Sequence, residues 1–137
     1  MPLASFTVDL SGGRPAPSRI KLEETLTNLE ISNEDIHDIC TAAIEILGNI
    51  IKHGGPLLLV CQADLKGDGP LRCLEVDFIG VKYIPPPSMP IVCPANIEAL
   101  PDCRLGLAII ARLVDKYEPL LSGRGVRLTK RVQVASD

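Results

Sequence analysis

The stretch AAIEILGNIIKHGG, residues 42–55, gathers side chains that could do chemistry together. At about 100° per residue, Glu45, Asn49 and Lys52 fall on one narrow helical stripe, with His53 at its edge. Such a set can accept a proton, bond a polar ligand from both sides and attract an anion. The rest of the helix (Ile36, Ile39, Cys40, Ala43, Ile46, Leu47, Ile50, Ile51) is apolar over a wide arc, which predicts burial on most sides. A carboxylate and a carboxamide one turn apart there need a use or a structural partner. In the structural alternative, Glu45 pairs with Lys52 along the helix and Asn49 satisfies a neighbouring backbone group.

Other reactive groups suggest less. His37 precedes Asp38 in NEDIHDIC, but histidine phosphotransfer uses a residue exposed on a helical bundle, and no second long helix pairs with this one. His37 reads as a solvated helix residue. The five cysteines (Cys40, Cys61, Cys73, Cys93, Cys103) form no C-x-x-C pair, which excludes a zinc site and a disulfide framework. They read as free thiols packed as small hydrophobes in a reducing compartment. Cys93 and Cys103 flank a loop, and a redox role for that pair stays open.

The chain has 137 residues, a single-domain length, with 46% hydrophobic residues and a formal net charge of -3. These values predict a folded protein. No basic surplus or basic run argues for nucleic acid, and four aromatics (Phe6, Phe78, Tyr83, Tyr117) build no stacking platform for bases. MPLASFTVDLSGG meets polar and charged residues too early for a signal peptide, and no apolar run reaches membrane-spanning length. The expected location is the cytoplasm.

The elements that must position the stripe follow from pattern. LASFTVDL (3–10) alternates as a strand, and PSRIKLEETLTNLE (17–30) opens as a helix on Pro17 and Ser18. Ser32 or Asn33 caps the next helix, Glu34 and Asp35 suit its first turn, and Gly54-Gly55-Pro56 stops it after His53. PLLLVCQADL (56–65) and LRCLEVDFIG (71–80) are strands joined by a KGDGP turn. Six prolines between Pro85 and Pro101 forbid regular structure through most of 81–101. DCRLGLAIIARLVDKY (102–117) is a third helix with Asp102 as its N-cap, and PLLS (119–122) with VRLTKRVQV (126–134) closes the sheet. The order implies one domain over 1–137. Its class is α+β, a two-layer sandwich with a mostly antiparallel sheet covered on one face by three helices.

In that order the chain resembles the small ATP-binding regulators of bacterial anti-sigma type, members of the histidine kinase–gyrase superfamily. The resemblance is carried by LEISNEDIHDICTAAIEILGNIIKHGG, with its E-x-x-x-N ending followed by a basic residue, His and Gly. It resumes at RLGLAIIARLVDKY and GRGVRLTKRV. It implies the histidine-kinase-like ATPase fold, with ATP and Mg²⁺ as possible cofactors. The position matching Asn49 would hold Mg²⁺, for which a carboxamide oxygen is suited. The position matching Glu45 would act as general base. Lys52 and His53 would face the phosphates or the lid, and Arg104 and Gly106 would be the remaining phosphate contacts. It also implies a protein partner of sigma-factor or antagonist type and a homodimer.

Three departures from the family pattern weigh against bound ATP. The family reads adenine with an Asp in D-x-G-x-G. Anchored on Gly80, that Asp becomes Phe78 and the second glycine becomes Lys82. Asp77 is adjacent, but strand neighbours face opposite ways, so only a bulge or slipped register would bring it in. Phe78 is expected to fill the adenine space. DCRLGL keeps only Gly106 of the phosphate-loop glycines, and an Asp102 cap would spend the helix-terminal donors. The lid segment is rich in proline, and its YIPPPSMPIV could present Ile84, Met89 and Ile91 to a partner or pack over an empty pocket. Two functions stay open: a regulator acting by protein binding with nucleotide binding weakened or lost, or an active Mg-dependent serine/threonine kinase.

Overall fold

The computed structural model describes residues 4–80, 102–120 and 123–134, with the backbone alone for 102–107. Among them lie β1 (Ala4–Asp9), α1 (Ala16–Asn28), α2 (Asn33–Lys52), β2 (Leu58–Lys66), β3 (Leu71–Gly80), α3 (Asp102–Leu113), β4 (Lys116–Leu120) and β5 (Gly125–Gln133). The strands form one sheet in the order β1-β2-β3-β5-β4, and every neighbouring pair is antiparallel. Alternation along each strand sends one set of side chains toward the helices. Leu59, Cys61, Leu65, Leu74, Val76, Phe78, Val126 and Leu128 are all buried there, in the same cluster as Leu22, Leu26, Ile39, Ile46, Leu47 and Ile50 of the helices. The expected α+β sandwich is what forms.

α2 is fixed at both ends. The Ser32 hydroxyl accepts from the Asp35 backbone N–H at 3.3 Å and donates to Asp35 Oδ2 at 3.0 Å, closing a mutual cap. Asp35 Oδ2 also accepts from the Gln133 backbone N–H at 2.7 Å, so the cap ties the helix to the end of β5. At the other end Gly54 takes φ +74°, and the Gly54 and Gly55 N–H groups donate to the Ile51 and Ile50 carbonyls. Eight residues of the helix between these ends are buried, at roughly 1.5–3 kcal/mol for each large apolar side chain.

The expected third helix through Tyr117 is too long. α3 stops at Leu113, because the Asp115 N–H donates to the Thr129 carbonyl at 2.9 Å and Lys116 pairs with Thr129. Strand pairing to β5 thus captures Lys116 and Tyr117, and the closing pair begins at Lys116 rather than at Pro119. Pro119 is tolerated because β4 is an edge strand with one neighbour. Every other element end lies within two residues of its expected place. The proline-rich segment with Lys82, Tyr83, Ile84, Met89, Ile91 and Cys93 lies outside the described residues.

Candidate functional site

α2 carries the stripe as its period requires. Glu45 and Asn49 are half-buried, and Lys52 and His53 are exposed at the C-terminal end. One turn, about 5.4 Å of rise, separates successive members. Among the described residues neither the Glu45 nor the Asn49 side chain has a hydrogen-bond or ion-pair partner, so the structural alternative, with Glu45 on Lys52 and Asn49 on backbone, does not form there. The carboxylate and the carboxamide lie one turn apart on the same face of α2.

The stripe is also longer than its motif. Asp38 lies two turns before Glu45 on the same face, and its carboxylate is 3.8 Å from Lys130 Nζ. Lys130 shares strand parity with Val126, Leu128 and Val132, so it is a cation on the helix-facing side of the sheet, with its side chain only 16% exposed. Sequence reasoning missed this pair. The available signal was a lysine inside the apolar alternation of β5.

Phe78 and Asp77 separate by strand parity. β3 pairs with β2 and with β5 in unbroken register, so no bulge or slip turns Asp77 inward. Phe78 is 1% exposed, facing the helices between Cys61 and Val126 on the flanking strands. Asp77 is on the open face, where its carboxylate accepts from Arg127 Nε at 2.8 Å and Nη2 at 3.0 Å. These bonds push the Arg127 pKa up. Placing Asp77 among the nucleotide contacts is therefore corrected: it is not brought to Glu45 and Asn49. On the same face Lys66 bonds Glu75 at 2.8 Å and holds its carboxyl below the usual glutamate range.

Gly80 proves to be a packing glycine. A Cβ there would meet Pro56 Cγ at 2.5 Å, because the proline leaving α2 lies against the end of β3. Arg104 and Gly106 fall in the first turns of α3, and their side-chain surroundings lie outside the described residues, as do those of Asp102 and Cys103. No cluster of three or more His, Cys, Asp or Glu side chains able to hold a metal occurs among the described residues. A purine on the helix-facing side of β3 would meet the packed ring of Phe78 where it needs a polar partner. On that side of β3, Phe78 offers adenine a packed apolar ring and no polar partner. At the other end, Asn49 keeps a free oxygen of the kind a hard cation accepts.

No protein-family model matches the chain, and no curated protein sequence does. Among solved structures it is similar to the RsbU and RsbW domains of Rv1364c from Mycobacterium tuberculosis, with a TM-score of 0.57 and 22% identity. That match covers 100% of this chain and 34% of the other, so the chain spans about a third of that protein's length. With the antiparallel sheet and its helical layer, the likeness defines the class: an α+β protein with the histidine-kinase-like ATPase fold. Among the described residues no helix is long and apolar enough to cross a membrane.

Proposed function

We propose that the protein is a regulator of anti-sigma type that acts by binding another protein, with its nucleotide site weakened or lost. The observation that carries the second part is Phe78, buried at 1% exposure on the face where the resemblance asks for a carboxylate. The regulatory part is supported by the likeness to a structure that includes an RsbW domain and by the sequence resemblance around α2. The partner is a sigma factor or an antagonist protein, met in the cytoplasm, and the regulator works as a pair of identical chains.

Thermal melting with millimolar Mg·ATP tests the nucleotide part. A ligand at 100 times its Kd stabilises by about 2.7 kcal/mol. The wild type is expected to show no shift, and Phe78→Asp, which restores the carboxylate, to gain one. Titration against a panel of sigma factors and antagonists from the same genome tests the partner part. Binding to one member supports it, and binding to none overturns it.

One observation favours the kinase alternative: Glu45 and Asn49 stand one turn apart, half-buried and unpartnered among the described residues. In that reading Asn49 holds Mg²⁺ and Glu45 takes the proton of a partner's hydroxyl. A wild-type melting shift that vanishes in Asn49→Ala would revive the kinase reading and make phosphorylation of a partner protein the deciding assay.

A further inference from the structure

The two edges of the sheet differ in what their backbones offer. The Leu10 N–H donates to the Leu57 carbonyl at 2.7 Å, in line with the β1–β2 register. Hydrogen-bonded and non-bonded pairs alternate along an antiparallel ladder. Ala4, Phe6 and Val8 therefore exchange bonds with β2, while Ser5, Thr7 and Asp9 turn their N–H and C=O groups outward. Those outward groups meet no backbone partner among the described residues. At the other edge, the Gly80 N–H donates to the Arg124 carbonyl at 2.8 Å, which fixes the alternation through β5 into β4. Lys116, Glu118 and Leu120 then bond β5, and Tyr117 and Pro119 face outward. Pro119 has no N–H to offer, so a proline closes that edge at an outward position. The six residues of β1 hold no proline, no lysine and no bulge.

We propose that the β1 edge is a docking site for an extended segment of another protein, which joins the five-stranded sheet as a further strand antiparallel to β1. The inference is independent of the regulatory reading, because it rests on the edge alone. The edge also defines what the segment carries. On the helix-facing side Ala4 and Phe6 are only half-buried, whereas Val8 beside them is 1% exposed. The apolar layer is incomplete there, and apolar side chains opposite Val8 and Phe6 finish it. On the other side Ser5, Thr7 and Asp9 are exposed, and Asp9 is the one charge in β1. Its Oδ1 accepts from the Ser11 N–H at 2.9 Å, which leaves Oδ2 for a cation. From its N-terminal end opposite Asp9, the segment thus reads cation, apolar, hydroxyl, apolar, hydroxyl. Main-chain bonds supply the grip, and the alternating side chains supply the selectivity.

The probe is the acetylated and amidated peptide Lys-Val-Thr-Val-Thr-Val, titrated into the full chain and followed by NMR. At about ten times Kd, solvent exchange of the Ser5, Thr7 and Asp9 amides is expected to slow about tenfold, with Phe6 and Val8 unchanged. N-methylation of the threonine amides, which point at β1, should abolish binding, and N-methylation of the first two valine amides should leave it intact. Thr7→Pro gives β1 what Pro119 gives β4. It removes an outward donor, keeps the bonds to β2, and should abolish binding in a chain that circular dichroism shows to be folded. Asp9→Lys should weaken binding severalfold, and a peptide with Glu in place of its Lys should recover it.

No shift at millimolar peptide overturns the proposal. So does equal loss on methylating the valines, binding that survives Thr7→Pro, or a charge swap without effect. Exchange that slows with protein concentration in the absence of peptide also overturns it, since the occupant would then be a second copy.

Discussion

Asp35 shows how much one side chain can fasten. Its carboxylate accepts from Ser32 Oγ and from the Gln133 N–H, and its own N–H is capped by Ser32. Asp35→Ala removes the acceptor of both bonds, and water can reach the exposed Gln133 N–H, so a loss of about 0.5–2 kcal/mol in urea unfolding is expected. Glu75 gives the acid response. The hydrogen bond from Lys66 lowers its folded pKa below the ordinary 4.5. Its contribution is thus present above that value and lost as pH falls through the lower folded one. Lys66→Met should shrink the stability difference between about pH 7 and about pH 3, read by urea unfolding at both. An unchanged difference would assign the acid response to other carboxylates.

At the level of elements, the chain leaving α2 packs closely against the end of β3. Gly54 turns the chain out of the helix, and Pro56 then occupies the space a side chain at Gly80 would need. Gly80→Ala forces the proline or the strand end to move, at about 1–3 kcal/mol of stability by the usual cost of overpacking. Pro56→Ala in the same chain should recover part of that loss, and a double-mutant cycle by thermal unfolding measures how much. Additive losses would mean that the two residues do not share the contact. The same junction directly follows the C-terminal end of the stripe that carries Asn49, Lys52 and His53.

At the scale of the whole molecule, one core joins the sheet to its helices, and two thiols report on it. Cys40 on α2 and Cys61 on β2 are fully buried, and burial pushes the Cys40 thiol up to about 11 and Cys61 higher still. Cys73, on the open face, is only half-buried. In native alkylation at about pH 8, Cys73 is expected to label while Cys40 and Cys61 stay protected. Their labelling should follow global unfolding, rising with denaturant in step with the loss of stability. Peptide mass mapping checks this. Fast labelling of Cys61 under native conditions would mean that β2 opens without the rest of the core.

Much of this was written in local pattern. β3 was legible to its ends because Leu74, Val76 and Phe78 alternate with Cys73, Glu75 and Asp77 between turn residues. α2 was legible because caps and a 3.6-residue period agree. Parity alone also predicted that Phe78 and Asp77 would face opposite ways, since period-2 geometry is a property of the strand itself. What the sequence could not supply was partnership between distant segments. The end of α3 was set by Thr129, which takes Asp115 and Lys116 into the sheet and overrides the helical preference of DKY. Lys130 joined the stripe only because β5 passes beneath Asp38, and Gly80 acquired its reason only from Pro56. The sequence by itself determined the elements and which residues share a face. Tertiary structure decided which faces meet, because that choice depends on packing and strand register between residues far apart in the chain.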